Sequence, residues 1–105
     1  MASILVIEDN NEIQEILRTL FTEEHEVIQA FSGTEGIMQF DKGGIDLVLL
    51  DIMLPGKNGD QVLQAIRQTN QTPVIMLTAL GDKKLISQYL LDGANDYIVK
   101  PFDLD

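Results

Sequence analysis

The chain has 105 residues, 45% of them hydrophobic, with 17 acidic side chains against 7 lysines and arginines and a formal net charge of −10. That length supports one hydrophobic core and excludes two, and the acidity excludes nucleic-acid binding by phosphate neutralisation while favouring cations or basic surfaces. No cysteine is present, which excludes disulfides, thiolate chemistry and Cys-based metal sites.

Met1 leads straight into an apolar run with no basic flank and no long apolar segment, so neither a signal peptide nor a membrane span is expected. A cytoplasmic protein with no membrane partner is the resulting expectation. Ser3 to Ile7 reads as a β-branched strand ending on Glu8 and Asp9. Ile13, Ile16, Leu17, Leu20 and Phe21 then form one stripe of an amphipathic helix, with Asn10 or Asn11 placed to cap it. Glu26 to Phe31 is a more polar strand, expected at an edge. Ser32 with Glu35 three residues on is a capping-box pattern opening a helix that carries Ile37, Met38 and Phe40. His25, in a Glu-rich loop, is expected to be solvated.

The stretch Ile45 to Gly59, IDLVLLDIMLPGKNG, organises the rest. Leu47 to Leu50 is an apolar run short enough to be a strand buried on both faces. It stops on a carboxylate, Asp51, followed by a loop with Pro55, Gly56, Asn58 and Gly59. Asn58 or Gly59 starts a helix bearing Val62, Leu63 and Ile66. Thr72 to Leu77 is a fourth strand with its proline at the entrance, ending on Thr78, Ala79 and Leu80. Asp82 is placed to cap a fourth helix with Leu85, Ile86, Tyr89, Leu90 and Leu91, which Gly93 stops. Asp96 to Val99 is a fifth strand, ending on Lys100 and Pro101.

Five alternations of strand and helix predict an α/β fold: a parallel, doubly wound, flavodoxin-like sheet of order 2-1-3-4-5. Only Phe102 to Asp105 follow the fifth strand, too few for a covering helix. The expectation is therefore that residues 1–105 are one domain, a fragment of a longer chain, with one sheet face partly bare. In such a sheet all the strand ends share one rim, and ligands bind there. Glu8, Asp9 and Asp51 would repel one another at that rim without a cation. Oxygen ligands of this kind suit Mg²⁺. Lys100 and Thr78 would serve a phosphoryl oxygen, so the set reads as an Asp nucleophile with a divalent metal for phosphoryl transfer.

Glu8-Asp9, Asp51 with Pro55-Gly56, Thr78-Ala79 and Lys100-Pro101, in order at successive strand ends, resemble the receiver domain of two-component response regulators over essentially the whole chain. The resemblance implies that Asp51 is the phosphoacceptor, taking its phosphoryl group from a phosphohistidine on a partner histidine kinase. It implies that Asp9, Asp51 and the backbone carbonyl of Met53 ligate Mg²⁺, with Glu8 acting mainly through water. Lys100 and Thr78 would contact the phosphoryl oxygens, and Tyr97 matches a switch aromatic that turns inward as Thr78 moves. The Lys100–Pro101 bond would be cis. The run from Asp96 to Phe102 resembles receivers joined to winged-helix DNA-binding domains. DNA would then be met only through a further domain, and the helix-four face would pair two receivers on phosphorylation.

Each residue also has a plain reading. Asp51 could make a local turn, Glu8 and Asp9 could serve a helix dipole, Thr78 could be a turn residue and Lys100 a counter-ion. Tyr97 could be a half-buried strand aromatic, and the broad apolar surface of the fourth helix either deep packing or a partner face. A phospho-independent docking domain keeps the fold without the chemistry. A Mg²⁺-dependent phosphatase of the haloacid-dehalogenase type would want a second Asp where Met53 stands, and a flavin phosphate would be repelled by the acidic first loop. On the receiver reading the protein is a switch rather than an enzyme. Met53 and Leu80, two residues beyond Asp51 and Thr78, are apolar where they would flank the acyl phosphate, which predicts slow self-hydrolysis.

Overall fold

A computed structural model describes residues 1–54, 57–79 and 83–100, with the side chains of Ala79, Leu85 and Lys100 outside the description. The elements run β1 (Ser3–Ile7), α1 (Asn11–Phe21), β2 (Glu26–Ala30), α2 (Gly33–Asp41), β3 (Leu47–Asp51), α3 (Gly59–Thr69), β4 (Val74–Ala79), α4 (Lys83–Leu91) and β5 (Asp96–Lys100). All four neighbouring strand pairs are parallel, and the sheet order is β2-β1-β3-β4-β5. That is the flavodoxin-like order expected from the alternating pattern, with the polar β2 at an edge.

Period-two alternation divides the strand side chains between two cores. Leu5, Ile7, Val48, Leu50, Val74 and Met76 pack against Phe40 of α2, Val62, Leu63 and Ile66 of α3, and Tyr89 of α4. Ile4, Val6, Leu49 and Leu77 form the opposite core with Leu17, Ile13 and Phe21 of α1. Among the described residues, α2, α3 and α4 therefore lie on one face of the sheet and α1 on the other. Leu49 and Leu77 are buried on the α1 face, while Leu47 and Ile75 of the same interior strands are only partly buried there. Ile98, paired with Leu77 in register, is 39% exposed.

The helix starts follow the polar residues available. Asn10 caps α1 by accepting from the Ile13 N–H at 3.0 Å. Asn58 and Gln61 form a reciprocal capping box on α3, with bonds of 3.3 and 3.1 Å. On α2 the expected box is displaced by one residue: Ser32 accepts from the Glu35 N–H, but the Glu35 carboxylate accepts from the N–H of Phe31 rather than Ser32. Between α2 and β3, Gly43 and Gly44 hold φ of 86° and 79°, a left-handed pair that side chains with a Cβ resist.

Several local expectations are corrected. Thr78 lies inside β4, paired with Val99, because the β5 partner strand extends the ladder past the apolar run. Met38 and Leu20 are exposed, lying off the buried stripes of α2 and α1. His25 is half-buried, and its Nδ1 accepts from the Ala2 N–H at 3.0 Å, pinning the turn before β2 to the start of β1. Helix α4 buries only part of its apolar surface. Tyr89 is 5% exposed against the core, while Leu91 is 82% exposed. Pro55, Gly56, Leu80, Asp82 and the segment from Pro101 to Asp105 lie outside the described residues, the Lys100–Pro101 bond among them.

Candidate functional site

The site is built by register. Ile7 pairs with Leu50 at the C-terminal ends of β1 and β3, so the next residue on each strand, Glu8 and Asp51, meet at the rim. Asp51 in turn pairs with Leu77, one residue short of Thr78. Beyond them, Ala79 pairs with Lys100 at the end of β5. One carboxylate oxygen each from Glu8, Asp9 and Asp51 lies within 4.8 Å of the others. This is the switch point of the sheet, where crossovers from β1 and β3 leave in opposite directions and open a crevice.

Burial sharpens the chemistry. Glu8 is 0% and Asp51 4% exposed, whereas Asp9 faces solvent. Buried carboxylates need partners, and the backbone supplies some of them. The Asn10 N–H donates to Glu8 Oε2 at 3.1 Å, and the Met53 N–H donates a long 3.4 Å bond to Asp51 Oδ1. A set of three carboxylates with one side open to water is a hard-cation donor set that leaves room for waters and a phosphoryl oxygen. The cluster fits a Mg²⁺ site in the chemistry of its donors.

Supports hold this rim in place. Gln14 is buried on α1, and its amide nitrogen donates to the carbonyls of Val6 (3.0 Å), Glu8 (3.0 Å) and Ala30 (2.8 Å). One side chain thereby ties the ends of β1 and β2 to the helix that follows the acidic loop. The first turn of α3 packs on the strand that ends in Asp51: a Cβ at Gly59 would lie 2.9 Å from Ile52 Cα and 3.0 Å from the Asp51 carbonyl oxygen. Only glycine permits that approach. Among the described residues a cleft of about 520 Å³ lies beside this turn, lined by Ile52, Met53, Leu54, Asn58 and Tyr89.

Of the residues predicted for the site, Glu8, Asp9 and Asp51 are brought together, and Thr78 is buried in β4 on the same rim. The backbone of Lys100 ends β5 there, its side chain outside the description. Met53 follows Asp51 in the loop with its side chain 79% exposed, and Tyr97 is half-exposed at the β5 edge. Sequence reasoning passed over Gln14, although it stands three residues before Leu17 and seven before Phe21. A polar residue at buried helical spacing was the signal.

The Response regulator receiver domain profile matches residues 4–105. The chain belongs to that family. It is 45% identical over 104 residues to the transcriptional regulatory protein CpxR of Escherichia coli, a match spanning 98% of this chain and 44% of that protein. It is 42% identical over 100 residues to the transcriptional regulatory protein ResD of Bacillus subtilis, spanning 94% of this chain and 42% of ResD. The chain thus spans less than half the length of these curated relatives. Among solved structures, the Francisella response regulator 1452 receiver domain superposes with a TM-score of 0.90 at 31% identity, covering 98% of this chain and 87% of that one. Magnesium and phosphoaspartate are general features of this receiver family, and its transcriptional members are signalling proteins. No helix among the described residues is long and apolar enough to cross a membrane.

Proposed function

We propose that this receiver is a cytoplasmic phosphorylation switch in which Asp51 accepts a phosphoryl group from the phosphohistidine of a partner histidine kinase. The observation that carries the reading is the gathering of Glu8, Asp9 and Asp51, oxygens within 4.8 Å, at the switch-point rim of the sheet. An Asp51 carboxylate oxygen attacks phosphorus in line. The P–N bond to the donor imidazole breaks, and the leaving nitrogen takes a proton from solvent.

Asp9, Asp51 and the Met53 carbonyl would hold Mg²⁺, with Glu8 reaching it through water. A bound Mg²⁺ supplies charge neutralisation between the acidic rim and the phosphoryl oxygens. Lys100 and the Thr78 hydroxyl bind the same oxygens, and the movement of Thr78 toward them draws the Tyr97 ring inward. The protein assists its own phosphorylation and dephosphorylation without turning over an external substrate. Output runs through a DNA-binding domain outside these residues, as a transcriptional regulator. The α4 face pairs two receivers once Asp51 is phosphorylated, a reading supported by the exposure of Leu90 and Leu91.

The test is intact mass after incubation with acetyl phosphate, beside Asp51→Asn and a metal-free control, with circular dichroism establishing the fold of each sample. One phosphoryl adduct that requires both Asp51 and Mg²⁺ supports the switch. A folded wild type that takes no label under any donor concentration leaves a phospho-independent docking domain.

A further inference from the structure

We propose that Gln14 is a positioning residue for the cation: its buried amide orients the peptide that carries Asp9, and so sets how tightly the acidic rim holds a divalent ion. The inference rests on the reading of Glu8, Asp9 and Asp51 as a metal site. Asp9 is the exposed member of that trio, so its place is set more by the backbone on either side than by packing around its carboxylate. Gln14 grips that backbone twice. Its side-chain amide donates to the carbonyl of Glu8 at 3.0 Å, and its main-chain N–H donates to the carbonyl of Asn10 at 3.0 Å. The Glu8 carbonyl belongs to the peptide bond that leads into Asp9, and a planar peptide turns as a unit. Releasing that carbonyl lets the plane rotate, and the Asp9 side chain swings with it.

The grip has a firm base. The same amide donates to the carbonyls of Val6 at 3.0 Å and Ala30 at 2.8 Å, on β1 and β2. The Ala30 carbonyl also accepts the Glu8 N–H at 3.0 Å, so Glu8 is held at both of its main-chain groups. Its carboxylate in turn accepts the Asn10 N–H at 3.1 Å. Gln14 Oε1, by contrast, is buried without a hydrogen-bond partner among the described residues. The donor side alone therefore fixes the amide, since turning it over would set an oxygen against three carbonyl oxygens. Two amide hydrogens shared among three acceptors, with a stranded oxygen behind them, is a costly way to fasten a turn, and a cost of that kind calls for a use. Holding Asp9 where a cation needs it is the use that the location supplies.

The experiment is Mn²⁺ binding to the whole chain, read by electron paramagnetic resonance as loss of the free-ion signal, for wild type, Gln14→Met and Asp9→Asn. Circular dichroism establishes that each is folded at the temperature used. Mn²⁺ is the probe because carboxylate and carbonyl oxygens take it as they take Mg²⁺. Gln14→Met, which keeps the side-chain length and loses the donors, should bind about tenfold more weakly than wild type. A merely structural role would lower the urea midpoint and leave the affinity of the folded protein where it was. A folded Gln14→Met with wild-type affinity overturns the proposal and leaves the metal site standing. Coupling is reciprocal, so a residue that sets the affinity must also feel the ion. In wild type the side-chain amide resonances of Gln14 should shift with those of Asp9 as Mg²⁺ is added. Unmoved Gln14 resonances beside a shifting Asp9 overturn the proposal even where the variant does not fold. A wild type that binds no Mn²⁺, or an Asp9→Asn variant that binds it as tightly, overturns the underlying reading and the proposal with it.

Discussion

Glu8 and Asp51 are carboxylates at the ends of adjacent parallel strands, both almost wholly buried, with oxygens within 4.8 Å of each other. Neighbouring buried acids are a cost the fold bears at its rim, and the cost has a use only if a cation or a transferring phosphoryl group arrives there.

Cation binding should appear as stability. At about a hundredfold excess over Kd, Mg²⁺ should add about 2.7 kcal/mol, a rise in Tm of about 10 °C or more for a domain of this size. Asp9→Asn, which neutralises the solvent-facing carboxylate of the cluster, should lose most of that rise while folding normally. Thermal melts across a Mg²⁺ titration check this, and equal shifts in the two proteins would count against the cluster as a metal site.

Gln14 should prove a structural keystone of the β1–α1 turn. Gln14→Leu keeps the volume and strips the amide donor from the carbonyls of Val6, Glu8 and Ala30. The expected loss is about 2–3 kcal/mol. Urea unfolding measures it, and a change within the noise would mean that water replaces the amide.

Tyr89 sets a pH dependence. Burial, and then the charge of Asp60, push its hydroxyl above the ordinary phenol range. The folded state favours the protonated form, so its contribution is whole below about pH 10, where the unfolded phenol titrates, and is lost as pH rises through the folded value. Urea midpoints between pH 8 and 11 should fall more steeply for wild type than for Tyr89→Phe. Parallel curves would contradict the assignment.

Met53 should govern the lifetime of the phosphoryl group. Its exposed side chain follows Asp51 by two residues and cannot hydrogen-bond an attacking water. Met53→Asn should hasten decay roughly two- to tenfold, the worth of one net hydrogen bond. The half-life of the adduct by intact mass checks it, and an unchanged half-life would remove the argument for a long-lived signal.

The architecture was legible because short apolar runs, each stopped by a polar residue, alternate with helical stripes, and connection rules leave few sheet orders for that pattern. The acidic trio was legible for the same reason: strand ends share one rim. Where apolar character was the only guide, reading failed at the margins. Thr78 is polar yet belongs to β4, because a partner strand decides where a ladder ends. Leu91 is apolar yet exposed, because nothing in a broad apolar helix tells which side turns inward. Gln14 escaped notice because its partners are the backbone carbonyls of Val6, Glu8 and Ala30, and backbone groups leave no mark in a sequence.

The most direct measurement is to reduce the phosphorylated protein with borohydride, which converts an acyl phosphate to an alcohol, and to map the product by peptide mass spectrometry. Conversion of Asp51, and of no other carboxylate, to homoserine is the predicted result. Conversion at Glu8 or Asp9 in place of Asp51 would contradict the account.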